Sequence, residues 1–242
     1  KVLLHKSTLQ PHGPPQKGRN TRTRHRLPAG RPQPPTKPEP VTETHIGYAV
    51  TGVISARHKS PNALERRDYY EAIEAIPTPR MVVLHDLDYP ATIGSYWGEI
   101  QGNIALGLGC VGAVTDGGVR DLKEAEEMGF PFWAKEVLVS HGYVHAVAYN
   151  VPVDVGGVYV QPSDLIAADL HGVIQIPLDA AERLPAAAKA LAEQEAIVIA
   201  AAQAKGVSVD SLSEAWVASI KKLSLIHISE PTRRYAISYA VF

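Results

Sequence analysis

CVGAVTDGGVRDLKEAEEMG, residues 110–129, joins an apolar run rich in valine to two glycines and then to a charged segment. The apolar run predicts a buried strand, and the charged segment predicts a short helix that ends at Gly129. We expect Gly117 and Gly118 to form the turn between them. The stretch is therefore one strand–turn–helix unit of an α/β fold.

The same alternation continues on both sides of this unit. Upstream, IGYAVTGVISA and RMVVLHDL predict strands that flank a helix in NALERRDYYEAIEAI, and a second helix should follow Gly94. Downstream, from Pro131, the pattern changes to short β segments, PFWAKEV, GYVHAVAY, VPVDVGGVYVQ and GVIQIP, and from Asp179 to Lys222 it becomes helical. The sequence thus predicts an α/β domain with a mixed central sheet and a helical C-terminus.

Both ends of the 242-residue chain differ in character from this domain. Residues 1–45 hold nine of the nineteen prolines and few apolar residues, which predicts a disordered or non-native segment. A proline-motif ligand and an acid-poor transit peptide stay open for it. Residues 223–242, LSLIHISEPTRRYAISYAVF, match the in-frame translation of a sequencing-library adapter, as expected for an assembled metagenomic read. We therefore expect one catalytic domain at 46–222.

Composition excludes several classes of protein. The formal net charge is −1, with the basic residues concentrated in the first segment, so nothing indicates a nucleic-acid partner. The single cysteine, Cys110, lies in an apolar run and predicts a buried, inert thiol in a reducing compartment. No stretch approaches the roughly 18 uncharged apolar residues of a membrane span. We expect a cytoplasmic protein without membrane contact.

Two crossings from strand to helix carry the candidate chemistry, because ligands of open α/β sheets collect at the carboxyl ends of the strands. Glu99 opens the helix of the first crossing, and Asp121, preceded by Arg120, opens the helix of the second. A carboxylate in the first turn of a helix is also favoured by capping and by the helix dipole, with no function implied. From the residues alone both interpretations stay open.

Several of these segments together resemble the RraA-like family, named after the regulator of ribonuclease activity A. The resemblance covers about residues 46–218 and includes WGEIQGNIALGLGCVGAVTDGGVRDL and VPVDVGGVYVQPSDLIAADLHGVIQIP. Its most specific element is a carboxylate followed by twenty residues and Arg-Asp, which Glu99, Arg120 and Asp121 match. Three features depart from the family pattern: glutamate at position 99, where aldolase members often have aspartate; QPSD at 161–164; and the lack of the family's N-terminal helical region.

The resemblance implies a swivelling α/β/β domain and a divalent-metal-dependent lyase of the class II pyruvate aldolase type. Members include 4-hydroxy-4-methyl-2-oxoglutarate aldolases that also decarboxylate oxaloacetate to pyruvate. It implies Asp121 as the ligand of Mg²⁺, Mn²⁺ or another divalent metal, and Arg120 and Glu99 as catalytic residues. Substrate would bind Arg120 and a loop made of Gly94, Ser95, Tyr96, Trp97 and Gly98. It further implies a homotrimer or hexamer in which Glu195 reaches a neighbouring subunit.

Two other functions and one cluster of histidines are compatible with parts of the sequence. A non-catalytic protein that binds and inhibits a ribonuclease also fits the family, although the presence of both Arg120 and Asp121 favours the enzyme. A methyltransferase is disfavoured because no glycine-rich cofactor loop with an acidic ribose anchor is present. His141, His145 and His171 predict a structural or substrate-shaping role rather than a zinc site, since the first two lie on a predicted strand.

Overall fold

The computed structural model describes residues 43–88, 91–225 and 239–240. Most of the predicted end segments 1–45 and 223–242 lies outside these ranges. In chain order the strands and helices are β1 (His45–Ser55), α1 (Arg66–Glu74), β2 (Arg80–Asp86), β3 (Ser95–Trp97), α2 (Glu99–Gly107), β4 (Cys110–Val119), α3 (Leu122–Glu127), β5 (Phe132–Val137), β6 (His145–Tyr149), β7 (Val153–Val155), β8 (Val158–Val160), β9 (Leu165–Asp169), β10 (Gly172–Ile176), α4 (Leu178–Ala181), α5 (Leu184–Gln203), α6 (Val209–Leu225) and β11 (Tyr239–Ala240).

A mixed sheet forms the centre of the fold, as predicted. Its order is β11-β10-β9-β1-β2-β4-β3, with β5 also paired to β4 and β6 also paired to β1. Strands β1, β2, β3, β4 and β5 run parallel, so their carboxyl ends meet at one edge of the sheet. Strands β6 and β9 pair antiparallel to β1, and β7 and β8 form a separate hairpin.

The two faces of the sheet bury two apolar clusters. On the helix face, α1 and α2 insert Tyr69, Ile73 and Ala105 among aromatic residues that include Trp97 and Phe130. On the opposite face, the β7–β8 hairpin packs its valines against β2, β4, β9 and β10. Cys110 is buried in the first cluster as predicted, and burial raises the pKa of its thiol to about 12. These two layers leave the carboxyl edge of the parallel strands as the place where loops and helix starts converge.

Two local predictions were wrong, and one strand was not predicted. Gly117 and Gly118 lie inside β4, which continues to Val119, and the chain turns at Arg120 and Asp121 instead. The expected loop before Glu99 contains the three-residue strand β3. The run 165–169, which sequence periodicity did not single out, forms strand β9. The end of β4 and β3 depend on partners that are distant in sequence, so local pattern does not indicate them, and β9 pairs with the distant β1 as well as with the adjacent β10.

The C-terminal helices are present as predicted, and they are weakly buried. No residue of α5 is buried in this chain, and α5 contacts mainly α6. Lys222 of α6 forms an ion pair with Glu193 of α5 at 3.1 Å. Among the described residues, no helix is long and apolar enough to span a bilayer.

Candidate functional site

The starts of helices α2 and α3 meet at the carboxyl ends of β3 and β4. The backbone N–H of Glu99 donates to Oδ2 of Asp121 at 3.0 Å. The backbone N–H of Arg120 donates to the carbonyl oxygen of Trp97 at 3.1 Å. Asp121 therefore caps α2 rather than its own helix α3, for which its side chain makes no capping hydrogen bond. The structure thus brings Glu99, Arg120 and Asp121 together, as the spacing predicted.

Arg120 and Asp121 form a charged pair that remains accessible. The Arg120 Nε lies 3.7 Å from Asp121 Oδ2, and the two side chains are 35% and 30% exposed. Asp121 adopts φ = +55°, a left-handed conformation that few non-glycine residues occupy outside functional or tightly constrained positions. Partial exposure beside helix starts suits an anionic ligand, because the free amides and the guanidinium both favour negative charge.

Gly98 allows this arrangement by lacking a side chain. A Cβ at Gly98 would lie 2.5 Å from Asp121 Oδ2 and 3.1 Å from both Cγ and Nε of Arg120. Its φ of −171° is ordinary extended backbone, so the requirement for glycine here is one of space and not of conformation. Gly98 is therefore as much a part of the site as the two charged residues.

The rest of the predicted substrate loop faces inward. Ser95 is 1% exposed and its N–H donates to the carbonyl oxygen of Ser140, while Trp97 is fully buried in the core. Tyr96 is half-buried, with its hydroxyl 3.3 Å from that of Tyr149. A Cβ at Gly94 would clash with the backbone of His141, so this glycine serves close packing. The side chains of Ser95 and Trp97 are therefore buried too deeply to contact a substrate directly.

A second polar cluster at the same edge was not predicted from the sequence. Asp116 of β4 accepts the backbone N–H of Asp86 at 2.7 Å through Oδ1, and its Oδ2 lies 2.7 Å from Nδ1 of His85. Asp88 accepts the N–H of Ala56 at 2.7 Å and the hydroxyl proton of Ser55. The available signal was the aspartate at the end of each predicted parallel strand, in LHDLD and in AVTD.

Asp86 is a buried carboxyl group of this cluster, and one of its two oxygens is unpaired among the described residues. It is 8% exposed, its Oδ1 accepts the N–H of Asp88 at 2.9 Å, and within the described part of the chain its Oδ2 has no hydrogen-bond partner. Burial raises the pKa of Asp86 to about 6, and the negative charges of Asp88 and Asp116 act in the same direction. At neutral pH the folded protein therefore carries an unfavourable buried charge here.

Replacing Asp86 by asparagine is expected to flatten the pH dependence of stability. In the wild type, raising the pH from 4 to 7.5 ionises Asp86 more readily in the unfolded chain than in the folded one. This ionisation lowers the free energy of unfolding by up to about 3 kcal/mol. Asparagine removes that loss, so Asp86→Asn should gain stability relative to wild type as the pH rises.

Urea unfolding at pH 4 and at pH 7.5 measures this difference. Asp154→Asn, on the exposed side of β7, controls for the removal of one carboxylate. If the difference in unfolding free energy between Asp86→Asn and wild type is the same at both pH values, the raised pKa of Asp86 is contradicted.

The remaining predicted residues lie away from the Arg120–Asp121 pair or on the surface. His141 precedes β6 instead of lying on a strand, and it and His145 contact nearby backbone carbonyls. His171 pairs with Asp169 at the β9–β10 turn. Within the described ranges no group of three or more His, Cys, Asp or Glu side chains is placed to hold a metal ion. Glu195 is exposed on α5.

Comparison with known proteins gives a match to one family model and to several individual proteins. The RraA-like model, Aldolase/RraA, matches residues 21–175, beginning upstream of the described residues. A protein of Halalkalibacterium halodurans, provisionally named a 4-hydroxy-4-methyl-2-oxoglutarate aldolase, is 35% identical over 103 residues, which are 40% of this chain and 49% of that protein. The chain thus spans about half the length of this relative.

Two solved structures share the fold. An uncharacterized protein of Pseudomonas syringae pv. tomato superposes with a TM-score of 0.56 at 22% identity, covering 73% of this chain and 76% of that one. RraAS2 of Streptomyces coelicolor, described as an unusual member of the RNase ES inhibitor RraA protein family, superposes with a TM-score of 0.51 at 24% identity, covering 64% and 76%. At these identities the likeness concerns the fold alone.

Proposed function

The chain belongs to the RraA-like family, and on that premise we propose that it is a divalent-metal-dependent carbon–carbon lyase. Its substrates would be 4-carboxy-2-keto acids such as 4-hydroxy-4-methyl-2-oxoglutarate, oxaloacetate or both, with pyruvate as a product. One observation carries the proposal: Asp121, Arg120 and the start of α2 converge at an accessible point of the carboxyl edge. The sequence match to an aldolase-named relative supports the same class of reaction.

Asp121 fits the role of sole protein ligand to Mg²⁺ or Mn²⁺. Its cap to Glu99 and its ion pair to Arg120 both use Oδ2, so Oδ1 is the oxygen that would face a cation. Hard cations prefer carboxylate oxygens, and Mg²⁺ bound by one or two carboxylates keeps several waters or substrate oxygens as further ligands. When bound, the cation would polarise the keto group of the substrate and stabilise the enolate of pyruvate.

Arg120 and Glu99 have separate tasks in this proposal. Arg120 presents planar donors suited to a carboxylate, and its partial exposure lets it hold a substrate carboxylate beside the bond that breaks. Glu99 is exposed at the first position of α2, where its side chain would take or return a proton through water. The start of α2 adds favourable potential for the substrate's negative charge.

We further propose that the protein works as a homotrimer or hexamer in which Glu195 approaches a neighbouring subunit's site. The supporting observation is that α5, which carries Glu195, buries no residue within its own chain. Large apolar side chains remain exposed along α5 and α6, among them Leu191, Ile199 and Trp216. A second subunit would cover this surface and so remove apolar area from water.

The function is tested by pyruvate release from oxaloacetate and from 4-hydroxy-4-methyl-2-oxoglutarate. We expect turnover with Mg²⁺ or Mn²⁺, its loss with a chelator, and its recovery when excess metal is returned. Spontaneous decarboxylation of oxaloacetate by free metal is subtracted with a protein-free sample. Turnover that persists unchanged in chelator would contradict the metal-dependent mechanism.

The alternative class is a non-catalytic inhibitor of a ribonuclease. The accessible Arg120 favours the enzyme, because capping of α2 accounts for the Asp121 carboxylate but not for a guanidinium group beside it. Absence of pyruvate from both substrates with each metal, together with dose-dependent inhibition of a ribonuclease, would establish the alternative instead.

A further inference from the structure

The last part of β4 is irregular where it approaches the site. Pairing of β2 with β4 ends at Leu84 and Thr115. On the other edge of β4, Thr115 pairs with Ala134, and the next pair is Gly118 with Glu136, so three steps on β4 oppose two on β5. This is a β-bulge, a device that bends a strand and changes the direction of the side chains that follow.

Asp116 lies at this bulge and ties it to β2. Where the backbone ladder ends, its Oδ1 accepts the N–H of Asp86 at 2.7 Å. Its Oδ2 lies 2.7 Å from Nδ1 of His85, with the two side chains 22% and 34% exposed for Asp116 and His85. The Asp116 side chain therefore provides an acceptor for the Asp86 N–H where the backbone of β4 no longer does. It also holds the partly buried imidazole of His85.

Other side chains of the protein occupy the space beside the two glycines of the bulge. A Cβ at Gly117 would lie 2.7 Å from Asp86 Oδ2 and 3.1 Å from Thr115 Oγ1. A Cβ at Gly118 would overlap the side chain of Leu138. The glycine pair thus makes room for side chains of the protein itself.

Immediately after the bulge, β4 reaches the site. Strand β3 pairs with this last part of β4, Ser95 with Gly118 and Trp97 with Val119. The next residue, Arg120, donates its N–H to Trp97, and Asp121 then caps α2. Any slip of the bulge would move both charged residues relative to α2.

We propose that Asp116, with His85 as its partner, is a positioning residue that fixes the end of β4 so that Arg120 and Asp121 meet the start of α2. It lies four residues before Arg120 and acts through the bulge, without touching substrate. What the positioned residues then do rests on the proposed lyase function. The positioning itself is a property of the strand and has its own measurement.

Asp116→Ala, which removes both contacts, is compared with Asp116→Asn by hydrogen exchange of the amides of residues 117–121. Asparagine keeps an acceptor for Asp86 and a polar group toward His85, so we expect exchange close to wild type. Alanine should speed exchange in this segment by about tenfold or more, since the bulge loses its tether to β2, and the amide of Asp86, which loses its acceptor, should also exchange faster. In the lyase assay, kcat should fall at least about tenfold for alanine and recover with asparagine.

Two further variants keep the comparison decisive. Asp154→Ala removes an equivalent contact, Asp154 Oδ1 to the N–H of Gly157 at 3.1 Å, from the β7–β8 turn and should leave residues 117–121 unchanged. If Asp116→Ala does not fold, His85→Ala removes half of the tether and should show a smaller increase in exchange confined to the same segment. Two results would overturn the inference. One is exchange at the wild-type rate in residues 117–121 of a folded Asp116→Ala or His85→Ala protein, and the other is an equal increase in exchange rate over the whole sheet.

Failure of the proposed function gives a different result. A wild-type protein that releases no pyruvate with any metal refutes the lyase, while the exchange comparison still decides the role of Asp116. Mn²⁺ binding by titration calorimetry adds a readout that needs no turnover, with weaker binding expected for Asp116→Ala than for Asp116→Asn.

Discussion

Asp121→Asn is expected to lower kcat/KM for pyruvate release by about a thousandfold or more while leaving the fold intact. Asparagine retains a side-chain oxygen that accepts the N–H of Glu99, so the cap of α2 survives. It loses the negative charge that would hold a divalent cation, and Lewis-acid stabilisation of a developing enolate contributes several kcal/mol. Steady-state kinetics at saturating Mg²⁺ and thermal unfolding separate the two effects.

Asp121→Ala is the companion variant because it removes charge and cap together. Its activity should be as low as that of Asp121→Asn, and its free energy of unfolding should be lower than that of Asp121→Asn by about 1 kcal/mol. Asp164→Asn is the matched control: Asp164 Oδ2 accepts the N–H of Gln161 at 2.7 Å, outside the site, and its neutralisation should not affect kcat/KM. Near wild-type turnover of Asp121→Asn would show that Asp121 is a cap and not a ligand.

Gly98→Ala is expected to reduce kcat/KM by about a hundredfold. The added methyl group would occupy space 2.5 Å from Asp121 Oδ2 and 3.1 Å from Arg120 Nε, so both side chains must move. Displacements of about 1 Å in a catalytic arrangement commonly cost two orders of magnitude in rate. Backbone strain does not contribute, because alanine adopts φ near −171° readily.

Gly107→Ala provides the matched control in the same helix. Gly107 is the last residue of α2, and a Cβ there meets no atom within 4 Å. Alanine should leave activity unchanged and stabilise the protein by a few tenths to about 1 kcal/mol, because it restricts the unfolded chain. Equal activity of Gly98→Ala and Gly107→Ala would refute the requirement for space at Gly98.

Most of the strands and helices could be predicted from the sequence because they follow from apolar periodicity. Helix α1 buries Tyr69 and Ile73 at the predicted spacing, and β2 is the continuous apolar run of a strand buried on both faces. The proximity of Glu99 and Asp121 also followed, since parallel strands bring their carboxyl ends to one edge. These features depend on patterns within single elements or on a general rule of the fold.

The details that sequence could not supply depend on pairs of distant residues. Asp121 at a helix start predicts a cap of its own helix, yet its carboxylate accepts the N–H of Glu99 at the start of α2, a residue 22 positions earlier in the chain. The double glycine predicts a turn, yet Gly118 pairs with Ser95 of β3 and with Glu136 of β5, so the two glycines remain within β4. The tether between Asp116 and His85 joins residues 31 positions apart, with no local signal beyond their residue types.

The cap of α2 by Asp121 also restricts the routes by which this site can change through mutation. One carboxylate oxygen serves the neighbouring helix, so selection for folding persists at this position even after selection for catalysis ends. A descendant that abandons the chemistry would keep an acceptor there, asparagine or serine before any apolar residue.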